Sequence, residues 1–180
     1  GEKMRKPIEY IESIDQLLTL DIDTLLPSHL DPVRGADEIR AGMIRIREAV
    51  DFVHSETVAG MNAGKSVSEL MAEIRLPERL LLSESHGKVS WAVKSIWEYY
   101  ATWFHFDRTS ELYATPQTAI LDDLAERIDA ESALSMVQKK LELNKPEQAL
   151  LLLELLEGLN VNSALLTLRI EALDQLRQRA

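Results

Sequence analysis

Apolar residues recur at helical spacing along nearly the whole chain, while the strict alternation that marks a half-buried strand is almost absent. Only 7 glycines interrupt the 180 residues, and the 6 prolines are scattered. Leu, Ala, Glu and Ile dominate, and β-branched runs are missing, so helices are favoured almost everywhere. The expectation is an all-α fold of several helices.

The first helix is predicted over 7–20, with Ile11 and Ile14 at helical spacing and Pro7 in its first turn. Leu25 and Leu26 read as a short strand stopped by Pro27, and 28–35 as a loop punctuated by Pro32 and Gly35. A long helix follows over 36–63. Its stripe runs through Ile39, Met43, Ile46, Val50, Val53 and Met61, Asp37 and Glu38 suit its positive end, and Gly64 stops it. Ser66 and Glu69 stand at capping-box spacing before a helix that carries Leu70 and Ile74 and ends before Pro77.

All three tryptophans, Trp91, Trp97 and Trp103, fall within 91–106 together with Tyr99, Tyr100, Phe104 and Phe106. Aromatics this dense form a core or an interface, because each buries a large area. A helix from Pro116 to about 128 comes next. Then 132–143, 146–159 and 163–179 read as three Leu- and Ala-rich helices with short connectors, a tetratricopeptide-like hairpin plus one helix. One hairpin is not a repeat array, which needs about three units to stand alone.

Composition narrows the function. Apolar residues are 46% of the chain and charged residues 28%, enough for a sizeable core. The formal net charge of −10 repels phosphate backbones and anionic lipid, so nucleic acid and membrane are poor partners. With no cysteine, disulfides and thiolate metal sites are excluded. The longest strongly apolar run, 149–153, is far too short to span a bilayer. No targeting segment is visible in this chain, and cytoplasmic and periplasmic locations both stay open.

Few motifs carry chemistry. Gly60 to Gly64 with Lys65 and Ser66 suggests a phosphate loop, but three residues separate the glycines where four are needed, and a helix rather than a strand precedes them. A helix C-cap followed by an N-cap explains every residue. No pair among His29, His54, His86 and His105 has metal-ligand spacing. His54 reads as a packing or surface residue, His86 as a turn residue and His105 as a satisfied interface residue. His29 follows the short strand, in the kind of loop where a scaffold presents a ligand, yet a catalytic metal needs about three protein ligands. No serine, lysine or carboxylate is paired with a base as a nucleophile would be.

The run from Leu25 to Gly35, then Val53-His54-Ser55-Glu56-Thr57, Met61-Asn62-Ala63-Gly64-Lys65 and Ser68-Glu69-Leu70, resembles the alkyl sulfatase group of the metallo-β-lactamase superfamily. Gly87-Lys88-Val89, Tyr100-Ala101-Thr102-Trp103-Phe104 and Glu111-Leu112-Tyr113 extend the likeness. It implies that 1–35 is the end of an αβ/βα catalytic domain, and that 36–180 is an all-α dimerisation domain whose helical tail is 118–180. His29 falls on the family's zinc-ligating histidine, although Ser28 and Leu30 flank it where glycines or aromatics are usual. Arg108-Thr109 replaces the family's Asn-Pro, which suggests a divergent subgroup.

The resulting expectation is a structural domain that pairs two copies through Trp91, Trp97, Tyr100, Trp103 and Phe104, beside an upstream catalytic domain of the same protein. Two zinc ions would serve sulfuric ester hydrolysis in the intact parent, and this chain by itself would hold no cofactor and catalyse nothing. The alternative is a tetratricopeptide-like scaffold that binds another protein or a peptide.

Overall fold

The computed structural model describes residues 6–85, 87–104, 109–115, 117–120, 123, 129–156 and 163–178. Among them are α1 (Pro7–Leu17), a hairpin of β1 (Thr24–Leu25) and β2 (Val33–Arg34), α2 (Ala36–Asn62), α3 (Val67–Glu73), α4 (Val89–Ala101), α5 (Ala130–Glu142), α6 (Pro146–Leu156) and α7 (Ser163–Gln178). Helix dominates throughout, as the periodicity requires. The chain divides into two compact units, Gly1–His105 and Phe106–Ala180.

In the first unit α2 is the axis. Its 27 residues make a rod about 40 Å long. α1 packs on it through Ile11 and Ile14, and Pro7 is buried at the first turn. Arg47 clamps the pair, with Nε and Nη2 donating to the two Asp15 carboxylate oxygens at 2.5 and 3.0 Å. Arg40 donates to the Leu18 carbonyl at 2.9 Å, satisfying one free carbonyl at the end of α1. α1 stops at Leu17 rather than continuing to 20, because Thr19 and Leu20 bond back three residues and tighten into a turn.

The expected strand at Leu25 exists, but it pairs within a segment read as loop: Leu25 faces Val33 and Thr24 faces Arg34 in an antiparallel ladder. Two-residue strands carry too little alternation to be read from sequence. Gly35 closes the hairpin onto α2 with φ 102° and donates its N–H to the Asp23 carbonyl at 3.0 Å, a backbone geometry that favours glycine.

α2 buries Ile39, Ala49, Val53 and Thr57. The Thr57 hydroxyl is fully buried and donates to the Val53 carbonyl at 2.6 Å, so its polarity is satisfied. Ile46, expected in the stripe, is instead exposed. At the C-terminus Gly64 takes φ 76°, Lys65 N–H donates to the Gly60 carbonyl at 3.1 Å and Gly64 N–H to the Met61 carbonyl at 2.9 Å. That is a Schellman cap. Ser66 then caps α3, its hydroxyl accepting from Glu69 N–H while the Glu69 carboxylate accepts from Ser66 N–H. The glycine-lysine-serine run is therefore one helix ending and another beginning.

α3 and α4 fold back on α2 and close a core of Val53, Leu70, Ile74, Val93 and Ile96. A short 3-10 turn, Glu78–Leu80, buries Leu80 and is tied to α2 by Arg79 donating to the Glu48 carboxylate at 2.7 Å. α4 begins where the Glu84 carboxylate accepts from Val89 N–H at 2.9 Å. It ends at Ala101, earlier than the aromatic run, because Thr102 turns to φ 65°.

In the second unit α5, α6 and α7 pack on one another around Val137, Leu141, Leu153 and Leu168. Each helix contributes one buried alanine, Ala133, Ala149 and Ala172, and these small side chains let the helix backbones approach closely. α5 starts at Ala130, two residues before the expected 132, with Asp129 as its N-cap accepting from Ser132 N–H at 2.8 Å. The connector to α6 uses Asn144 at φ 53°, the left-handed position more often taken by glycine. The helix expected from Pro116 to 128 falls mostly outside the described residues, and 117–120 forms a 3-10 turn.

Three outcomes follow from this packing. Leu153→Ala should cost about 2–5 kcal/mol in urea unfolding, since the side chain is 2% exposed. Gly60→Ala should destabilise despite alanine's better helix propensity, because the new Cβ would run into the buried Leu70 side chain. The hydrogen bond from Arg47 depresses the Asp15 pKa, so its contribution is present at neutral pH and lost as pH falls through and below the usual carboxylate range. Asp15→Asn should be less stable at pH 7, and its disadvantage should shrink on acidification when the two melts are compared.

Candidate functional site

The five residues expected at an interface do not share one face. Trp91 and Tyr100 lie nine positions apart on α4, roughly half a turn out of phase. Trp91 is 59% exposed and Trp103 70%. Trp97 is half-buried against the Val53–Val93 core, and Phe104 is half-buried with its ring 5.8 Å from that of Trp103. Tyr100 leans on α2, where its hydroxyl meets His54 Nε2 at 2.7 Å, and its ring lies edge-on to Tyr99 at 4.9 Å. The aromatic run therefore does two jobs: part of it fastens α4 to the first unit, and part of it faces outward. Phe106 lies outside the described residues.

Trp91 stands at the wall of an open groove of about 700 Å³. Ala49, Val50 and Val53 of α2 form one side and Val89, Ala92 and Ile96 of α4 the other. Leu82, Ser83 and Gly87 line it as well. Lys88, Lys94, Glu84 and Glu98 line the same groove.

His29 sits in the β1–β2 connection and is exposed. Leu26 and Leu30 beside it are 74% and 88% exposed, and Leu30 adopts φ 73°, an uncommon backbone for a branched side chain. Among the described residues, no three His, Cys, Asp or Glu side chains converge as a metal site. His86 and His105 lie outside the described residues.

No family profile matches the chain. The linear primary-alkylsulfatase of Pseudomonas sp. (strain ATCC 19151) is 32% identical over 112 residues, 59% of this chain and 21% of that protein. A second linear primary-alkylsulfatase from Pseudomonas sp. is 25% identical over 111 residues, 58% of this chain and 16% of that protein. The chain is alkylsulfatase-related. Its fold agrees: the stereoselective inverting sec-alkylsulfatase Pisa1 from Pseudomonas sp. matches with a TM-score of 0.85 over 100% of this chain and 30% of its own, at 22% identity. A double mutant of the same enzyme matches equally well. The alkylsulfatase-related chain thus spans about a fifth of the length of its curated relatives.

Sequence reasoning missed the His54–Tyr100 bond, since 46 positions separate the partners and neither has a local motif. It also missed the groove, although Val50, Val53 and the out-of-phase Trp91 were its traces. Tyr100→Phe should cost roughly 1 kcal/mol with helical circular dichroism unchanged. A double-mutant cycle with His54→Ala in urea should recover a coupling of similar size.

Proposed function

We propose that this chain is a homodimerising structural domain of a zinc-dependent hydrolase resembling alkyl sulfatases, and that bond breaking belongs to another part of the parent. The observation that carries the reading is the outward display of Trp91 and Trp103, 59% and 70% exposed, in the first unit. Large exposed aromatics of this kind mark partner surfaces. Similarity to alkylsulfatases over little more than half of the chain supports the parent's class.

His29 fits as one zinc ligand of such a parent. Its imidazole is accessible on a loop held by the β1–β2 ladder, and nothing around it completes a site among the described residues. The remaining ligands would come from upstream of this chain in the parent. Zinc bound there would supply an activated water for sulfate-ester hydrolysis. The hairpin's role is to hold the imidazole in place.

A second reading, a scaffold for another protein's helix, is favoured by one feature of the second unit. Leu166, Ile170 and Leu173 form an exposed stripe along α7 and are 50–62% exposed.

Sedimentation velocity decides between these. The 180-residue chain should be dimeric at micromolar concentration, and Trp91→Ala should weaken association by about 2 kcal/mol, roughly 30-fold. Titration calorimetry should find no stoichiometric tight zinc binding by this chain, whereas His29→Ala in the full-length parent should lower its metal content. A monomeric chain that captures an amphipathic peptide along α7 would favour the scaffold.

A further inference from the structure

Resting on the scaffold reading of the second unit, and independent of the homodimer reading, we propose that α7 is the first helix of a second helical hairpin. An amphipathic helix of another protein docks antiparallel along its Leu166–Ile170–Leu173 stripe, in the place that α6 takes on α5.

The register of the helices carries this. α5 and α7 begin 33 residues apart, at Ala130 and Ser163, a spacing typical of helical-hairpin repeats. Positions on the two helices can therefore be matched one for one. Leu168 and Ala172 of α7 are buried in the core of the unit, and Leu165 packs against it. Their counterparts on α5, in the order of the chain, are Ser132, Ser135 and Lys139, all exposed. This is the polar face that a terminal repeat turns to water. The other face reverses the comparison. Ala133 and Val137 of α5 are buried in the core shared with α6, and Lys140 donates to the Gln148 side chain of α6 at 2.8 Å. The matching residues of α7 are Leu166, Ile170 and Leu173, which are 55%, 62% and 50% exposed. α7 thus keeps an apolar face where α5 holds its second helix, and among the described residues nothing buries it. The stripe continues the α5–α6 interface one repeat further on.

The same comparison sets the occupant. α6 meets the core through Ala149, Leu153 and Leu156, at i, i+4 and i+7. The α7 stripe has identical spacing, so a helix patterned like α6 meets it turn for turn. Charge gives the direction. α6 carries Glu147 in its first turn. Arg177 stands exposed in the last turn of α7, four positions after Leu173 and in line with the stripe. An antiparallel partner with an acidic first turn brings a carboxylate to that guanidinium.

A fluorescein-labelled peptide of residues 146–159, this chain's own example of such a helix, is titrated against the 180-residue chain. It should bind saturably. Ile170→Glu should raise its Kd at least ~10-fold, because a carboxylate would enter an apolar contact. Arg177→Glu should raise it about 3-fold, an effect that high salt shrinks. Leu151→Glu, at a 58% exposed position of α6 away from the stripe, should leave Kd unchanged. Circular dichroism should show all three variants folded, since each site is exposed. A nitroxide on the peptide's N-terminus should broaden the Arg177 amide signal and spare that of Leu166. No saturable binding overturns the proposal and the scaffold reading together. Binding indifferent to Ile170→Glu, or broadening at Leu166 instead, overturns the docking geometry and leaves the scaffold reading intact. An Ile170→Glu chain that loses self-association in sedimentation makes the occupant a second copy and also overturns it.

Discussion

Everything in the first unit hangs on the burial of Val93 and Ile96 of α4 against Val53 of α2 and Leu70 and Ile74 of α3. This contact sets the position of α4, and α4 sets which aromatics face the core and which face out. Gly60 makes it possible, since the Leu70 side chain occupies the space where another residue's Cβ would stand. The site is thus a by-product of the core: the groove is what remains between α2 and α4 once that contact is made.

The clustering of tryptophans is informative for its division rather than its density. A helix that put every aromatic outward would leave a surface prone to indiscriminate association, and one that put every aromatic inward would have nothing to offer a partner. Here Trp97 and Tyr100 tie α4 to the core and to α2, while Trp91 and Trp103 are left outside. The change of direction at Thr102 separates Trp103 from the packed portion, so its exposure comes from backbone geometry as well as from helical phase.

Much of this fold was legible in the residues. The periodic apolar stripes gave the helices, and the capping residues gave their junctions: Gly64, Ser66 with Glu69, and Pro146 all act where local chemistry says they should. What escaped was non-local or too short. Val33 and Arg34 form a strand only because Thr24 and Leu25 lie opposite them. Ile46 belongs to the apolar pattern of α2, yet among the described residues no element packs over it closely enough to bury it. A density of aromatics does not report phase, and the half-turn between Trp91 and Tyr100 becomes decisive only once α2 is in place. His29 could be located from its loop, but whether other donors converge on it, which none does as a three-residue cluster among the described residues, is a matter of three-dimensional arrangement.

The unbroken length of α2 has a mechanical consequence. One end of the rod receives the hairpin bearing His29 through Gly35, and its C-terminal half is clamped by α3 and α4. Over about 40 Å, a tilt of one degree at the clamp swings the far end by roughly 0.7 Å. α2 therefore acts as a lever arm, and the stiffness of the helical clamp limits how far the β1–β2 hairpin at its other end can swing.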